Sequence, residues 1–354
     1  MKLRRLLVTI HLWVGMAAAP FLFILGATGA LLVFEDQIDD AANARILMVT
    51  PSGPALPLDE LERRVVAAHP GTRVVGGALP GDAVHAAAFV LAGDAPGAGV
   101  QQVFVDPYTG RETGTVADLR QPMGAVHQLH TRLLAGHAGN VVVGWAAVLL
   151  LFLSVSGLIL WWPGKIIRVT WEGTLRRISF DLHNALGAYA WVFLALFALS
   201  GIVIHWNEWA SGPGPRGAMT GEVSDCAGGT PKPFSEIVRI ASAAMPGAAV
   251  TFSQPMRPGS GQVLVHLRYP EDHTPAGRTM VTVGECSGRV LSAVSTRDMP
   301  ARYRFARMTN RSIHTGDIFG WPTRILAALM SLTLPLMAVT GPLIWWTRRR
   351  AARR

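Results

Sequence analysis

The amino-acid sequence predicts a membrane protein: an all-α four-helix bundle with two small α+β domains on its outer side. The halves form an internal parallel duplication about a pseudo-two-fold axis along the membrane normal. Three observations carry this expectation. They are four long apolar runs, positive charge confined to one side, and motifs that recur at a nearly constant spacing.

Half of the 354 residues are apolar, and they are concentrated rather than spread. Residues 6–34, 141–162, 185–206 and 325–346 form four runs of at least 22 residues without an Asp, Glu, Lys or Arg. About 20 helical residues cross a hydrocarbon core of ~30 Å. Buried helices of water-soluble domains rarely continue that long without a charge. The first run follows Lys2, Arg4 and Arg5 and contains Ala17-Ala18-Ala19, as a cleavable leader would. It continues to Phe34, well past the ~7–15 apolar residues of such a leader, and is read as an anchor. Pro335 and Pro342 predict a kink in the fourth run.

Charge supplies the orientation. Lys2, Arg4 and Arg5 precede the first run, and Lys165, Arg168, Arg176 and Arg177 join the second to the third. Arg348, Arg349, Arg350, Arg353 and Arg354 follow the fourth. Against these twelve cations stand only Glu172 and Asp181, a net of +10 in a chain whose total is +9. The positive-inside rule places these segments in the cytoplasm. The basic balance therefore reports topology and gives no support to a nucleic-acid partner.

The expected order is a first span at 1–34, an outer domain at 35–126, and a second span with an outer lead-in at 127–162. A basic loop at 163–182, a third span at 183–206 and a second outer domain at 207–313 follow. A fourth span with its lead-in at 314–347 and a basic tail at 348–354 complete the chain. Both cysteines, Cys226 and Cys286, fall in the second outer domain. On an oxidising face they are compatible with one disulfide, which spacing alone does not establish; they lack the CxxC spacing of a thiol redox motif.

The repeat decides the architecture. HLWVGMAAAPFLFILGATGALLVF from His11 parallels HNALGAYAWVFLALFALSGIVIHW from His183, an offset of 172 that also matches Gly15 with Gly187 and Gly29 with Gly201. LDELERRVVAAHPG from Leu58 parallels FSEIVRIASAAMPG from Phe234 at 176, and the turns at Gly110-Arg111 and Gly288-Arg289 correspond at 178. SGLILWWPGK from Ser156 parallels TGPLIWWTRR from Thr340 at 184, an offset that also carries His130 onto His314. Each half then reads helix, outer domain, helix, and both halves start inside. Within each outer domain a helix (58–69 or 234–245) ends at Pro-Gly. Short β-prone runs such as VQQVFV at 100–105 and TMVTV at 279–283 follow. TPSGPALP at 50–57 and SGPGPRG at 211–217 read as linkers.

Four of the eleven histidines are paired by the repeat. His11 and His183 each follow an arginine of the basic rim by six residues, which sets both ~9 Å along a helix from that rim. His130 and His314 stand just before the outer ends of the second and fourth spans. An ionisable residue in a span is a functional candidate by default. Two imidazoles across a two-fold axis suit the axial positions of one haem iron. The chain has no CxxCH, so two b-type haems are expected, one near each face. Zinc is the alternative for histidine pairs, but it takes four ligands, and no Cys or carboxylate accompanies either pair. His127 and His137 flank His130 and are alternative ligands on that span; their repeat positions hold Arg311 and Trp321. His205 has no repeat mate and reads as an interfacial residue, while His69, His85, His266 and His273 read as ordinary residues of the outer domains. Arg132, Arg302, Arg304, Arg307 and Arg311 cluster near His130 and His314. They read either as a solvated basic face or as partners for haem propionates or an anionic substrate. Trp161-Trp162 and Trp345-Trp346 read as interfacial anchors.

In combination, HLWVG and TGALLVF, VDPYTG, LHTRLL, SGLILWWP, DLHNALG, IHTGDIFGWPTR and WWTRRR resemble the bacterial inner-membrane proteins with PepSY-associated transmembrane helices. The likeness covers nearly the whole chain. It implies PepSY-like periplasmic domains and a ferric-siderophore reductase with two b-type haems that moves electrons outward. It also implies ligand roles for His11, His183, His130 and His314. The chain differs from the usual pattern at His137, where members more often carry an acidic residue. No GxGxxG follows a strand, so the electron donor is expected to be separate, either a quinol or a cytoplasmic reductase. Two other readings stand beside this one: a non-catalytic peptide-binding or regulatory membrane protein, and a haem quinol oxidoreductase with another periplasmic acceptor.

The charge pattern makes a direct prediction about topology. A reporter active only in the periplasm should be silent when fused after Arg354 and active when inserted in either long loop. Activity at the C-terminus would overturn the orientation.

Overall fold

The computed structural model describes residues 2–93, 99–165, 167–212, 226, 229–256, 260–272, 274 and 277–351. His273, Arg353, Arg354 and residues 213–217 of the expected linker lie outside them. In chain order the helices are α1 (Lys2–Leu32), α2 (Glu35–Ala42), α3 (Ala44–Leu47), α4 (Leu58–Ala68), α5 (Pro122–Arg132) and α6 (Gly136–Trp161). They continue with α7 (Leu175–His205), α8 (Asn207–Ser211), α9 (Phe234–Ala244), α10 (Ala301–Arg304), α11 (Asn310–Thr315) and α12 (Trp321–Ala351). The strands are β1 (Thr72–Ala78), β2 (Ala87–Gly93), β3 (Val100–Val105), β4 (Glu112–Thr115), β5 (Ala249–Pro255), β6 (Gln262–Arg268), β7 (Thr279–Gly284) and β8 (Val290–Val294). The chain divides into two compact units, one of residues 1–36, 121–211 and 305–354, the other of residues 37–120 and 212–304.

Among the described residues, α1, α6, α7 and α12 are long and apolar enough to cross a membrane, and all four belong to the first unit. α1 packs against α12 and α6, and α7 packs against α6 and α12. Their shared core takes Ala18, Leu22, Leu150, Ala190, Leu194, Ala198 and Leu334 from all four. Small residues are frequent there because close backbone approach, rather than expulsion of water, drives helix association in lipid. One close approach is at Gly26, where a Cβ would stand 2.6 Å from Leu334 Cβ and 2.7 Å from Pro335 Cδ. Pro335 has no N–H to give to the Ser331 carbonyl one turn back. The Ser331 hydroxyl instead reaches across to the Gly26 carbonyl at 3.0 Å.

The lead-ins to the second and fourth spans are separate helices. Leu133 and Leu134 adopt φ of 49° and 56°, and Gly136 a φ of 57°, so the chain turns sharply between α5 and α6. Gly316, with φ of 83°, ends α11, which continues a π-helical turn at Phe305–Thr309. At the opposite helix ends, cations cover the tryptophans: Arg349 on Trp345 at 4.5 Å, Arg350 on Trp346 at 3.9 Å and Lys165 on Trp162 at 5.2 Å. Such contacts suit residues that must sit between apolar and aqueous surroundings.

The second unit is built on one antiparallel sheet of order β4-β3-β2-β1-β5-β6-β7-β8. The two expected α+β pieces are thus joined edge to edge, through Gly77 paired with Ser253 and Ala78 with Phe252. Pairing β1 with β5 satisfies backbone groups that would otherwise form two open edges. The Ser253 hydroxyl accepts from the Gly77 N–H at 3.1 Å and lies 3.2 Å from the Gly77 carbonyl. Irregularities recur at matched places: Val74/Gly76 and Val250/Phe252 stand 176 apart, Phe104/Val105 and Thr282/Val283 stand 178 apart. α4 and α9 bury Leu61, Val65, Phe234 and Val238 on Phe89, Leu91 and Val103, while Ile237 and Ala241 meet Val265 and Val281. Glu62 on α4 accepts from the Phe234 and Ser235 N–H groups at 2.6 and 2.9 Å. This satisfies the open start of α9 and complements its dipole. Cys226 and Cys286 form a disulfide.

The contact at Gly26 makes a stability prediction. Gly26→Ala should destabilise the detergent-solubilised protein by about 1–3 kcal/mol through forced separation of α1 from α12. Gly15→Ala, whose Cβ would lie 3.7 Å from Leu153, should be tolerated. Equal thermal unfolding of the two variants would remove the close approach from the account.

Candidate functional site

The four repeat-paired histidines all lie in the first unit, and each is half-buried against a different long helix. His11 on α1 places Nδ1 2.8 Å from Ser156 Oγ on α6, and His183 on α7 places Nδ1 3.0 Å from Thr340 Oγ1 on α12. His130 on α5 meets Thr28 Oγ1 on α1 at 2.9 Å, and His314 on α11 meets Ser200 Oγ on α7 at 2.8 Å. Every imidazole is therefore fixed by one hydroxyl on its Nδ1 side.

In all four places a glycine follows the hydroxyl residue. A Cβ at Gly157 would stand 3.4 Å from His11 Cε1, and at Gly341 3.4 Å from His183 Cε1. At Gly29 it would stand 3.1 Å from His130 Cε1, and at Gly201 3.5 Å from His314 Cε1. Sequence reasoning singled out the histidines and missed these Ser/Thr-Gly dipeptides. Their signal was in the repeat: Thr28 and Ser200 stand 172 apart, Ser156 and Thr340 184 apart, as the histidines do.

The structure brings the His130 and His314 rings together with centroids 6.4 Å apart and planes at 57°. Phe197 meets His314 edge-on at 6.1 Å. Two imidazoles at this separation could both serve as ligands of one metal group.

The remaining histidines have other surroundings. His127, one turn before His130, lies 3.4 Å from Glu35. His137 is exposed in the first turn of α6, beyond the break that separates it from His130. His205 lies over Gly144 and meets Trp206 edge-on at 4.5 Å. His69 bonds Glu112 and His85 bonds Asp82, both at 2.8 Å, and His266 lies beside Phe252. Of the arginines, Arg132 and Arg311 are exposed on the histidine-bearing helices α5 and α11. Arg307 contacts Ser211 at 3.4 Å, and Arg304 belongs to the second unit.

A search of the curated proteins finds no match to this chain. A family model described as the PepSY-associated TM region matches residues 8–348, from the first turns of α1 to the end of α12. The match spans all four membrane-length helices and both long loops between them, and the chain belongs to the family of the PepSY-associated TM region.

Proposed function

We propose that this chain is an inner-membrane ferric-siderophore reductase with two b-type haems, taking electrons from a separate quinol or cytoplasmic reductase and moving them outward. In this reading the four spanning helices form a parallel duplicated bundle with both termini cytoplasmic. The two long loops, which build the eight-stranded sheet, are the periplasmic surface that meets the siderophore.

One observation carries the reading: four imidazoles, each oriented by a hydroxyl on Nδ1, of which His130 and His314 stand 6.4 Å apart. The donor set fits haem. Among the described residues, no group of three or more His, Cys, Asp or Glu gathers to enclose an ion. A ligand pair suits a macrocycle that brings its own four equatorial nitrogens. When bound, haem supplies one-electron chemistry between its ferric and ferrous states.

The residues of the chain do the rest. His11 and His183 hold one group and His130 and His314 the other, while Gly29, Gly157, Gly201 and Gly341 let each ring lie close to a helix backbone. Arg132, Arg307 and Arg311 offer guanidinium groups for propionates or for an anionic chelate, whose oxygens they match in geometry. One-electron transfer to Fe(III) needs no nucleophile or general acid, and none is assigned. The recurrence of strand irregularities at 176 and 178 supports the duplication.

The detergent-purified protein should show the absorption spectrum of two low-spin b-type haems per chain. Either His11→Ala or His183→Ala should lose one, and either His130→Ala or His314→Ala the other. His137→Ala should retain both. A haem-free spectrum would favour the peptide-binding alternative, and two haems in His11→Ala would remove the inner pair.

A second measurement addresses the substrate. The dithionite-reduced protein should be reoxidised by a ferric siderophore with release of Fe(II) to a ferrous chelator. Reoxidation by other periplasmic acceptors but not by ferric siderophores would replace the substrate assignment.

A further inference from the structure

The hydrogen bonds around the four histidines determine where their protons are. A Ser or Thr hydroxyl has one proton to donate and two lone pairs with which to accept. Thr28 Oγ1 lies 2.7 Å from the Ile24 carbonyl, and Ser156 Oγ 2.7 Å from Phe152. Ser200 Oγ lies 2.6 Å from the Leu196 carbonyl, and Thr340 Oγ1 2.9 Å from Leu336. A carbonyl can only accept, so each hydroxyl proton points back into its own helix. The hydroxyl then offers the histidine a lone pair, and Nδ1 must bring the proton to that contact.

We propose that the four Ser/Thr-Gly dipeptides, 28–29, 156–157, 200–201 and 340–341, are cradles that set the tautomer of the histidines they hold. Each fixes a neutral imidazole with hydrogen on Nδ1 and the lone pair on Nε2. The glycine is the second half of the device. In all four cradles it is the ring's Cε1, the carbon between the two nitrogens, that lies 3.1–3.5 Å from the place of the missing Cβ. The ring is thereby seated with Nδ1 against the hydroxyl. A hydroxyl that already donates along its helix is a better acceptor than a free one. It does this without bringing a carboxylate into the spans, where a charge is costly.

Metal-bound histidines ordinarily give their second ring N–H to a carboxylate, a backbone carbonyl or water, and this contact fixes the tautomer and tunes the ligand. Here a neutral hydroxyl takes that place four times over, alone at His11 and beside a backbone carbonyl at His130 (Leu25), His183 (Met337) and His314 (Phe197). The geometry stands without the haem reading of the preceding section; its purpose rests on that reading.

The test uses the full chain in detergent, labelled on histidine nitrogens and prepared without haem. Nitrogen NMR should show four imidazoles protonated on Nδ1, assigned by loss of each signal in His11→Gln, His130→Gln, His183→Gln and His314→Gln. Ser156→Ala should release only His11 from that state, and Thr28→Ala only His130. Ser156→Thr and Thr28→Ser should restore it, since the chain itself uses Thr340 and Ser200 at the matching places. In haem-loaded protein each Ala variant should weaken retention of one haem ~10-fold or more. It should also raise that site's midpoint potential, because an imidazole that no longer donates from Nδ1 stabilises ferric iron less. Hydrogen on Nε2 of any of the four in the unaltered protein would overturn the proposal. So would Ala variants that leave both tautomer and haem retention unchanged. Should the unaltered protein take up no haem, the function proposed above fails, and the tautomer spectrum still decides the cradles.

Discussion

An imidazole set among apolar helices has an N–H that needs an acceptor, and hydrocarbon offers none. In the tautomer proposed above, the acceptor is a hydroxyl on a neighbouring helix, and much of the histidine-bearing part of the first unit follows from that requirement. The hydroxyl must be one turn above a carbonyl of its own helix, as Thr28 is above Ile24 and Ser156 above Phe152. The next residue is a glycine in all four places, and at Gly29 a Cβ would press on the ring at 3.1 Å. The partner helices must then approach closely, and the core between them is accordingly rich in alanine. Polar side chains that would be a liability in lipid become the fixed points of the helix arrangement.

The sheet unit obeys a related constraint through its backbone. A four-stranded half would carry an open edge at β1 or β5, a template for wrong pairing. Joining the two edges at Gly77 and Ser253 removes both and gives one sheet whose remaining edges are β4 and β8. Glycine at 76 and 77 is required by crowding: a Cβ at Gly76 would stand 2.6 Å from the Ser253 carbonyl oxygen, and one at Gly77 would collide with the Ala88 carbonyl.

Legibility in the sequence differed by the range of the interaction. The four spans, the helices α4 and α9 and the strands β3 and β7 could be read, because each is written in a local pattern of apolar residues. The β1–β5 junction could not, since strand pairing at that separation leaves no local mark and glycine at 76–77 argues against a strand by propensity. The break after Arg132 was hidden for a different reason: Leu133 and Leu134 take positive φ, which leucine composition does not announce. For the site, the histidine pairs were visible through their offsets, whereas the hydroxyls were not. Serine and threonine are common in membrane helices, so the shared offsets of Thr28 with Ser200 and of Ser156 with Thr340 drew no notice until their geometry beside the rings gave them a role.

The position of that junction also sets a clock. Ser253 is made 176 residues after Gly77. At ~5–20 residues per second, ribosomal synthesis leaves roughly 10–35 s between the two. Once β4 is complete at Thr115, the β1 edge of the four strands stays unpaired for the rest of that interval, while two further helices must still enter the bilayer. The early half of the sheet must therefore either stay unfolded or be shielded until its other half emerges. Its maturation is tied to the pace of translation and insertion, rather than to the stability of its own strands.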